Sequence, residues 1–298
     1  SIPPILPNEE EIPIAQYAKR GKKEIEYREK IAEKYGRKKQ AVSGIHFNIS
    51  LNETLLHALY QNTTQEISFE AFRDEVYLKI TRQLLRYRWL YVLIFGCSPI
   101  VDPTFDLKCR ELPIYFNSKT RGLSLRNSCF GYGNLEELYP DYSSTKGYLQ
   151  SIEEMVKKGT LSAGKELYAS VRPKFINHSE HVTYVEARFI DINPMSKTGL
   201  TAEMLQFIHG LAIYGLLTDE QNDFSSEFQS IANMNHGNVS LYGLLEKLIF
   251  IREDGSKSDA WVEAKLLVSN MQSLFTTLGI ENEDYLNTFK YVQEMIQY

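Results

Sequence analysis

Apolar and polar residues alternate along four segments of the chain, and this period of two predicts β-strands. The segments span residues 42–51, 124–132, 167–175 and 182–192. Alternation places the apolar side chains of a strand on one face, which favours an antiparallel sheet with that face on the core. The opposite faces of the four segments carry polar side chains, namely His46, Asn48, Arg126, Tyr132, Tyr168, Arg172, Glu186 and Arg188.

Apolar residues at helical spacing predict helices over much of the remaining chain. The longest runs from residue 69 to residue 95, with Ser68 as its N-cap and Gly96 at its end. The other predicted helices span residues 23–35, 53–60, 146–158, 202–217, 226–235, 241–250, 259–277 and 282–297. Because the helices are not interleaved one per strand, the pattern argues against a doubly wound parallel sheet and favours an α+β fold.

Composition and charge narrow the class of function. The 298 residues are 43% hydrophobic and 24% charged, as in an ordinary folded protein, and the net charge of −5 argues against a general nucleic-acid binder. Three widely spaced cysteines fit neither a disulfide framework nor a zinc site, which favours a reducing, cytoplasmic setting. No apolar run approaches the ~20 residues of a membrane-spanning helix.

The residue types on the polar faces indicate a chemistry. Arginine donates two hydrogen bonds at once to carboxylate or phosphate. A histidine and a glutamate on one sheet face are possible ligands of a hard cation that itself holds phosphates. The faces therefore predict a polyanion site. A plain solvent face is the alternative, and the pattern leaves both open because it does not establish which strands are neighbours.

Four segments of the chain also resemble motifs of the bacterial glutamate–cysteine ligase family, either the stand-alone enzyme or the ligase half of a bifunctional glutathione synthase. They read SGIHFNIS at 43–50, SLRNSCFGYGN at 124–134, ELYASVRPK at 166–174 and YVEARFIDINP at 184–194. The family patterns are S-G-[IV]-H-[YF]-N-[FL]-S, S-L-R-x-S-x-x-G-Y-x-N, E-x-Y-[AS]-P-[IV]-R and Y-[IL]-E-[VF]-R-x-[FL]-D-[IL]-N-P. The opening, with SIPP at 1–4 and IAQY at 14–17, resembles a fifth pattern.

The resemblance implies a glutamine synthetase-like fold and ATP-dependent ligation of the glutamate γ-carboxylate to the cysteine amine through γ-glutamyl phosphate, the first step of glutathione biosynthesis. ATP, L-glutamate and L-cysteine are the implied substrates and Mg²⁺ the implied cofactor. It also implies residue roles: metal ligation by His46 and Glu186, phosphate or glutamate contacts by Arg126, Arg172 and Arg188, and substrate binding by Tyr17, Gly44, Ile45, Asn48, Tyr132 and Tyr168.

The expected organisation is a single ligase catalytic domain over residues 1–298. Residues 1–200 form its sheet-rich, motif-bearing part and residues 201–298 its helical part. The family's acidic G-L-E-x-E strand, which helps to complete the magnesium sites, has no counterpart in this sequence. We therefore expect the chain to lack the family's N-terminal part, or to receive that segment from a second chain.

Three alternatives remain open at this stage. A related ligase joins glutamate to another amine, and a few pocket contacts decide such specificity. A non-catalytic remnant of the fold binds a ligand or partner without turnover. A nucleic-acid module is the third alternative, based on residues 19–39, which hold ten basic and four acidic residues, although a solvated helix face is the usual meaning of such a run.

Overall fold

The computed structural model describes residues 5–18, 21–64, 66–105, 122–131, 133–176, 179–245, 247–280 and 282–297. Within these ranges the chain forms long helices and a small three-stranded antiparallel sheet, which packs with one face against a helix. The α+β fold class predicted from the sequence is therefore confirmed.

The described residues form these helices: α1 (Lys22–Tyr35), α2 (Arg37–Gln40), α3 (Glu53–Gln61), α4 (Phe69–Phe95), α5 (Thr145–Lys157), α6 (Ala202–Leu217), α7 (Ser226–Tyr242), α8 (Ala260–Thr277) and α9 (Glu283–Gln297). They form these strands: β1 (Ile45–Ile49), β2 (Val171–Lys174), β3 (Tyr184–Ile190), β4 (Ile249–Ile251) and β5 (Lys257–Asp259). Strands β4 and β5 make a separate two-stranded hairpin.

Side-chain caps explain why several helices begin where the sequence predicts. Ser68 accepts a hydrogen bond from the Ala71 amide at the start of α4. The Asn52 side chain accepts from the Thr54 amide at the start of α3, and the Thr201 side chain accepts from the Met204 amide at the start of α6. Each cap satisfies an amide that has no partner within its helix. The predicted helices at 69–95 and 202–217 are confirmed at these bounds.

Helix α4 forms the centre of the core. It packs against β2 and β3 on one side and against α6 and α7 on another. Val185, Ala187 and Phe189 point from β3 into this core and are fully buried, while Glu186 and Arg188 between them are more exposed. The alternation predicted for β3 is therefore confirmed, and the opposite face of the sheet is left for polar groups.

Replacement of Phe189 by alanine is expected to lower the free energy of unfolding by about 3–5 kcal/mol. The Phe189 ring lies 5.3 Å from the Tyr91 ring of α4, and both are fully buried. Phe47 also faces the core but is only partly buried, so Phe47→Ala should cost less. Urea denaturation of both variants checks this order. Equal losses would contradict the packing described.

The predicted strand at 124–132 is wrong. Leu125–Asn127 forms a 3-10 helix, and Ser124 Oγ accepts hydrogen bonds from the backbone and side-chain nitrogens of Asn127. The Ser128 hydroxyl donates to a carbonyl of the same turn at 2.6 Å. These local side-chain bonds compete with a strand ladder. The alternating serines therefore form a turn rather than one face of a strand.

The two helices predicted at 226–235 and 241–250 are also wrong as separate elements. One helix, α7, runs through both segments as far as Tyr242, and residues 249–251 form β4. The hairpin from β4 to β5 turns at Gly255, whose φ of 80° suits glycine. The apolar residues of 248–251 therefore pack as a short strand and not as a helix face.

Two findings bear on the expectations from cysteines and hydropathy. Cys129 is disulfide-bonded and Cys97 is a free thiol. The cysteine spacing, which fits no disulfide framework, did not predict this bond. Cysteine usage consequently gives no support for a reducing compartment. Among the described ranges, no helix is both long and apolar enough to cross a membrane.

Candidate active site

The three-stranded sheet aligns polar residues from separate motifs in one row. Strand β3 lies between β1 and β2 and pairs with both in antiparallel orientation. Glu186 on β3 lies opposite Asn48 on β1 and Arg172 on β2. The sequence pattern left the neighbours of each strand open. The structure brings three of the four motifs side by side.

Glu186 is the centre of a cluster of ionisable groups. Its Oε1 lies 3.4 Å from Nδ1 of His46. Its Oε2 lies 3.3 Å from Nζ of Lys174 and 3.6 Å from Nε of Arg188. The same Arg188 nitrogen donates to Nε2 of His46 at 3.4 Å. One carboxylate therefore serves as the shared counter-ion of two cations and contacts an imidazole.

Neighbouring charges keep Glu186 ionised, and burial keeps His46 neutral. Partial burial acts to raise the pKa of Glu186, but the charges of Lys174 and Arg188 outweigh it and hold the pKa below its usual value. Partial burial, reinforced by the charge of Arg188, lowers the pKa of His46 although Glu186 lies beside it. At neutral pH the cluster therefore holds a carboxylate, two cations and a neutral imidazole.

The guanidinium of Arg126 lies directly against the backbone of Gly44. A Cβ atom at position 44 would lie 2.1 Å from Cζ of Arg126, so only glycine leaves room for it. Nη2 of Arg126 donates to the carbonyl of Arg188, and Nη1 lies 3.9 Å from Oδ1 of Asp191. Burial lowers the pKa of Arg126. Two motifs that are far apart in the sequence thus meet through Gly44 and Arg126.

The turn that carries Arg126 is attached to β3 by side-chain hydrogen bonds. Nδ2 of Asn127 donates to the carbonyl of Phe189 at 2.9 Å. Gly131 lies close to the backbone of Arg126, because a Cβ there would lie 1.7 Å from the Arg126 carbonyl oxygen. Arg126 therefore reaches the polar side of the sheet from a turn, without belonging to a strand.

A cavity of about 1450 Å³ opens beside these groups. Its wall includes five of the predicted site residues: Gly44, His46, Arg126, Tyr168 and Arg188. Helices α1, α2 and α7 contribute other parts of the wall. Ordinary small-molecule pockets measure about 300–1,000 Å³, so the cavity has room for more than one substrate.

The other predicted site residues that the structure describes are not on the cavity wall: Tyr17, Ile45, Asn48, Arg172 and Glu186. Tyr17 is exposed, and its hydroxyl accepts a hydrogen bond from Nε of Arg28 at 2.9 Å. Nη2 of Arg172 donates to the Gly164 carbonyl at 3.3 Å. Glu186 lies next to the wall through its contacts with His46 and Arg188. Tyr132 lies outside the described residues.

A buried group centred on Glu166, which the sequence reasoning missed, holds Tyr168 in place. The Glu166 carboxylate accepts hydrogen bonds from Nζ of Lys34 at 2.5 Å and from the Tyr35 hydroxyl at 2.6 Å. Asn134 donates to the Glu166 carbonyl and accepts from the Tyr168 amide at 2.8 Å. The signal was present in the motifs, since Glu166 and Asn134 are the first and last residues of two of them.

Replacement of Glu166 by glutamine is expected to lower the free energy of unfolding at neutral pH by roughly 3 kcal/mol, because it leaves the Lys34 charge without its partner. Burial acts to raise the pKa of Glu166, but hydrogen bonds from Lys34 and Tyr35 outweigh it and lower the pKa. Relative to an unfolded pKa of about 4.3, this stabilisation is complete above that value and is lost as the pH falls through the folded pKa.

Denaturant unfolding of both proteins at several pH values measures this difference. The gap between wild type and Glu166→Gln should be large at pH 7 and should shrink below about pH 4. Glu24→Gln is the matched control, because Glu24 forms an exposed pair with Lys165 and should change stability by less than ~1 kcal/mol. A gap that stays constant with pH would contradict the assignment.

The described residues do not by themselves provide a magnesium site. No group of three or more His, Cys, Asp or Glu side chains in the described ranges is arranged to hold a metal ion. His46 and Glu186 adjoin one another, but Lys174 and Arg188 already neutralise the carboxylate. Mg²⁺ prefers six oxygen ligands, and this pair offers one carboxylate and one nitrogen donor.

Comparisons with known sequences identify the family to which the chain is similar. The chain matches the family described as glutamate-cysteine ligase over residues 1–162 and 156–239. It is 36% identical over 262 residues to the glutathione biosynthesis bifunctional protein of Desulfotalea psychrophila, covering 86% of this chain and 34% of that protein. Its identity to the corresponding protein of Clostridium perfringens is 33% over 311 residues, covering 99% and 39%.

Two solved structures share the fold. A bifunctional glutathione synthetase from Pasteurella multocida matches with a TM-score of 0.78 and 26% identity over 96% of this chain and 36% of that one. A glutamate–cysteine ligase from Francisella tularensis, solved in complex with AMP, matches with a TM-score of 0.82 and 21% identity over 97% and 64%. The chain spans little more than a third of the length of the curated relatives it matches. By the match of its sequence over most of its length, the chain belongs to the glutamate–cysteine ligase family.

Proposed function

We propose that the chain carries the substrate site of an ATP-dependent ligase that joins the γ-carboxylate of L-glutamate to the amine of L-cysteine. A γ-carboxylate oxygen attacks the terminal phosphorus of ATP, the bond to ADP breaks, and γ-glutamyl phosphate forms. The cysteine amine then attacks the acyl carbon and loses a proton, and inorganic phosphate leaves. The product is the dipeptide of the first step of glutathione biosynthesis.

The observation that carries the proposal is the convergence of Arg126, Arg188 and His46 on one large cavity, with Gly44 shaped to admit Arg126. ATP and glutamate are both anions at neutral pH. Transfer of a phosphoryl group requires positioning and charge neutralisation more than covalent help from the protein. Buried guanidinium groups stabilise developing negative charge more strongly than solvated ones do. The site therefore suits the first half of the reaction.

The proposed roles follow from position. Arg126 and Arg188 bind phosphate or the glutamate carboxylates, and Glu186 keeps Arg188 and His46 in place through its contacts with both. Tyr168 packs edge-on against Tyr35, with ring centres 5.5 Å apart, and is proposed to line the cysteine pocket. No step is assigned to Mg²⁺ here, because the donor set of the described residues does not fit it.

A second candidate is that this chain binds the substrates without turning them over. The observation that favours it is the same incomplete donor set: within the described part of the chain, Glu186 has cationic partners and no second carboxylate nearby to share a metal. Such a chain binds glutamate through its arginines but fails to catalyse phosphoryl transfer. Binding and turnover therefore have to be measured separately.

Isothermal titration of the 298-residue chain with glutamate and with ATP tests the binding half of the proposal. Saturable binding of both ligands is expected, with Arg188→Met weakening at least one of them about tenfold or more, since a charge-assisted hydrogen bond is lost. Arg28→Met is the control, because Arg28 lies outside the cavity wall and pairs with Tyr17. Binding that ignores Arg188, or no binding of either ligand, would refute the proposal.

A further inference from the structure

A buried arginine on α4, Arg88, lines the same cavity and has only neutral partners. Its side chain is 4% exposed. Nη1 donates to the Ser170 hydroxyl and Nη2 donates to Oδ1 of Asn233 at 2.5 Å, whereas Nε has no hydrogen-bond partner. Among the described residues, no carboxylate forms an ion pair with Arg88. Its charge is therefore held in place but not neutralised.

Two other arginines on α4 provide an internal comparison. Arg82 and Arg86 are 6% and 9% exposed, about as buried as Arg88. Arg82 pairs with Glu220 at 2.5 Å, and Arg86 pairs with Glu220 and with Glu253, each at 2.8 Å. A buried charge is costly unless a partner compensates it. Helix α4 therefore pairs its buried arginines with carboxylates at positions 82 and 86, but not at position 88, which lines the cavity.

His236 on α7 adds a second unsatisfied polar group to the same wall. It is 7% exposed, and its Nδ1 atom has no hydrogen-bond partner. Burial, with the nearby charges of Arg88 and Arg126, holds the pKa of His236 well below its usual value. The ring is therefore neutral at pH 7 and carries one N–H group, on either Nδ1 or Nε2. Burial also lowers the pKa of Arg88, to about 10.

We propose that Arg88 and His236 form an oxyanion subsite of the cavity, with Ser170 and Asn233 orienting the guanidinium. The anion that binds there supplies the countercharge that the described residues lack. Its chemical class is a carboxylate or a phosphate, the sources being a carboxylate of glutamate and the phosphates of ATP. The identification of the anion with a substrate rests on the proposed function, whereas the binding of an oxyanion at Arg88 does not.

Titration calorimetry of the wild-type chain and of Arg88→Met, with glutamate, inorganic phosphate and ATP as the probes, tests the subsite. The variant should bind at least one probe about tenfold or more weakly. A loss for glutamate alone identifies a carboxylate as the occupant, and a loss for phosphate and ATP identifies a phosphate. Unchanged affinity for all three probes, or no binding of any probe to the wild type, would overturn the inference.

A second variant covers a failure of Arg88→Met to fold. Asn233→Ala keeps the charge of Arg88 but removes one of its two acceptors. This variant should weaken the binding of at least one of the three probes about threefold. No change for any probe with this variant, when Arg88→Met does not fold, would also overturn the inference.

Turnover separates this inference from the proposed function. Dependence of anion binding on Arg88, without cysteine-dependent turnover by the wild type, would support the subsite and count against the ligase proposal for this chain. Turnover by the wild type, together with anion affinities that do not depend on Arg88, would support the ligase proposal and count against the subsite.

Discussion

Replacement of Gly44 by alanine is expected to lower kcat/KM about 10²-fold, the typical cost of removing one preorganised donor from a charged transition state. The new Cβ would lie 2.1 Å from Cζ, 2.2 Å from Nη2 and 2.3 Å from Nε of Arg126. Arg126 has to move, because its side chain is the part that can give way. It then loses its bond to the Arg188 carbonyl and its place on the cavity wall.

Gly133→Ala is a matched control for this prediction. Gly133 lines the same cavity, but a Cβ there meets no atom within 4 Å. Neither glycine has a positive φ, so alanine strains the backbone at neither position. Steady-state kinetics and far-ultraviolet circular dichroism of both variants decide the matter. Equal activity of Gly44→Ala and Gly133→Ala would show that the position of Arg126 is unimportant for turnover.

Replacement of Glu186 by glutamine is expected to lower kcat on the order of 10³-fold while the protein remains folded. Glutamine keeps the shape of the side chain but removes the charge that Lys174 and Arg188 share. Those cations then repel one another, and His46 loses its anionic neighbour at 3.4 Å. Arg188 is expected to leave the geometry in which it meets both His46 and Arg126.

Glu136→Gln provides the comparison for Glu186→Gln. Glu136 is an exposed carboxylate on the cavity wall itself, whereas Glu186 lies next to the wall, so the variant removes the same charge from a different position at the site. Its kcat should stay within about twofold of wild type, as is usual for a surface substitution. Single-turnover phosphate release separates chemistry from binding for both variants. Wild-type turnover by Glu186→Gln would rule out a role for the carboxylate.

Most of the long helices and the polar faces of β1 and β3 were predictable from the sequence. Helical periodicity and capping residues are local signals in the sequence. Ser68 and Gly96 therefore define the two ends of α4 without reference to the rest of the fold. Strict alternation likewise assigned Glu186 and Arg188 to the polar face of β3. The order β1-β3-β2 was not predictable, because strand pairing depends on contacts between residues far apart in sequence.

The wrong strand at 124–132 has an identifiable physical cause. Serine and asparagine side chains bond to nearby backbone groups, so a serine at every second position is compatible with a turn as well as with a strand. Ser124 and Asn127 use their side chains in this way. The placement of Arg126 on the polar side of the sheet was predicted from that strand, whereas in the structure a turn carries Arg126 to the cavity wall.

Several groups of the candidate site gave little signal in the sequence. Arg88 and His236 lie in helices whose apolar residues dominate the pattern, and only the packing of α4 against α7 places both on the cavity wall. Lys174 was accessible to pattern reasoning, since it lies two residues beyond Arg172 and therefore on the same face of β2. Its ion pair with Glu186 required knowledge of the register.

The measurement that tests the central claim most directly is phosphate release from ATP by this 298-residue chain, in the presence of Mg²⁺, with glutamate and cysteine added singly and together. The proposed function predicts sustained release only when both amino acids are present, with γ-glutamylcysteine formed in equal amount. No release, or release that is the same with and without cysteine, would contradict it.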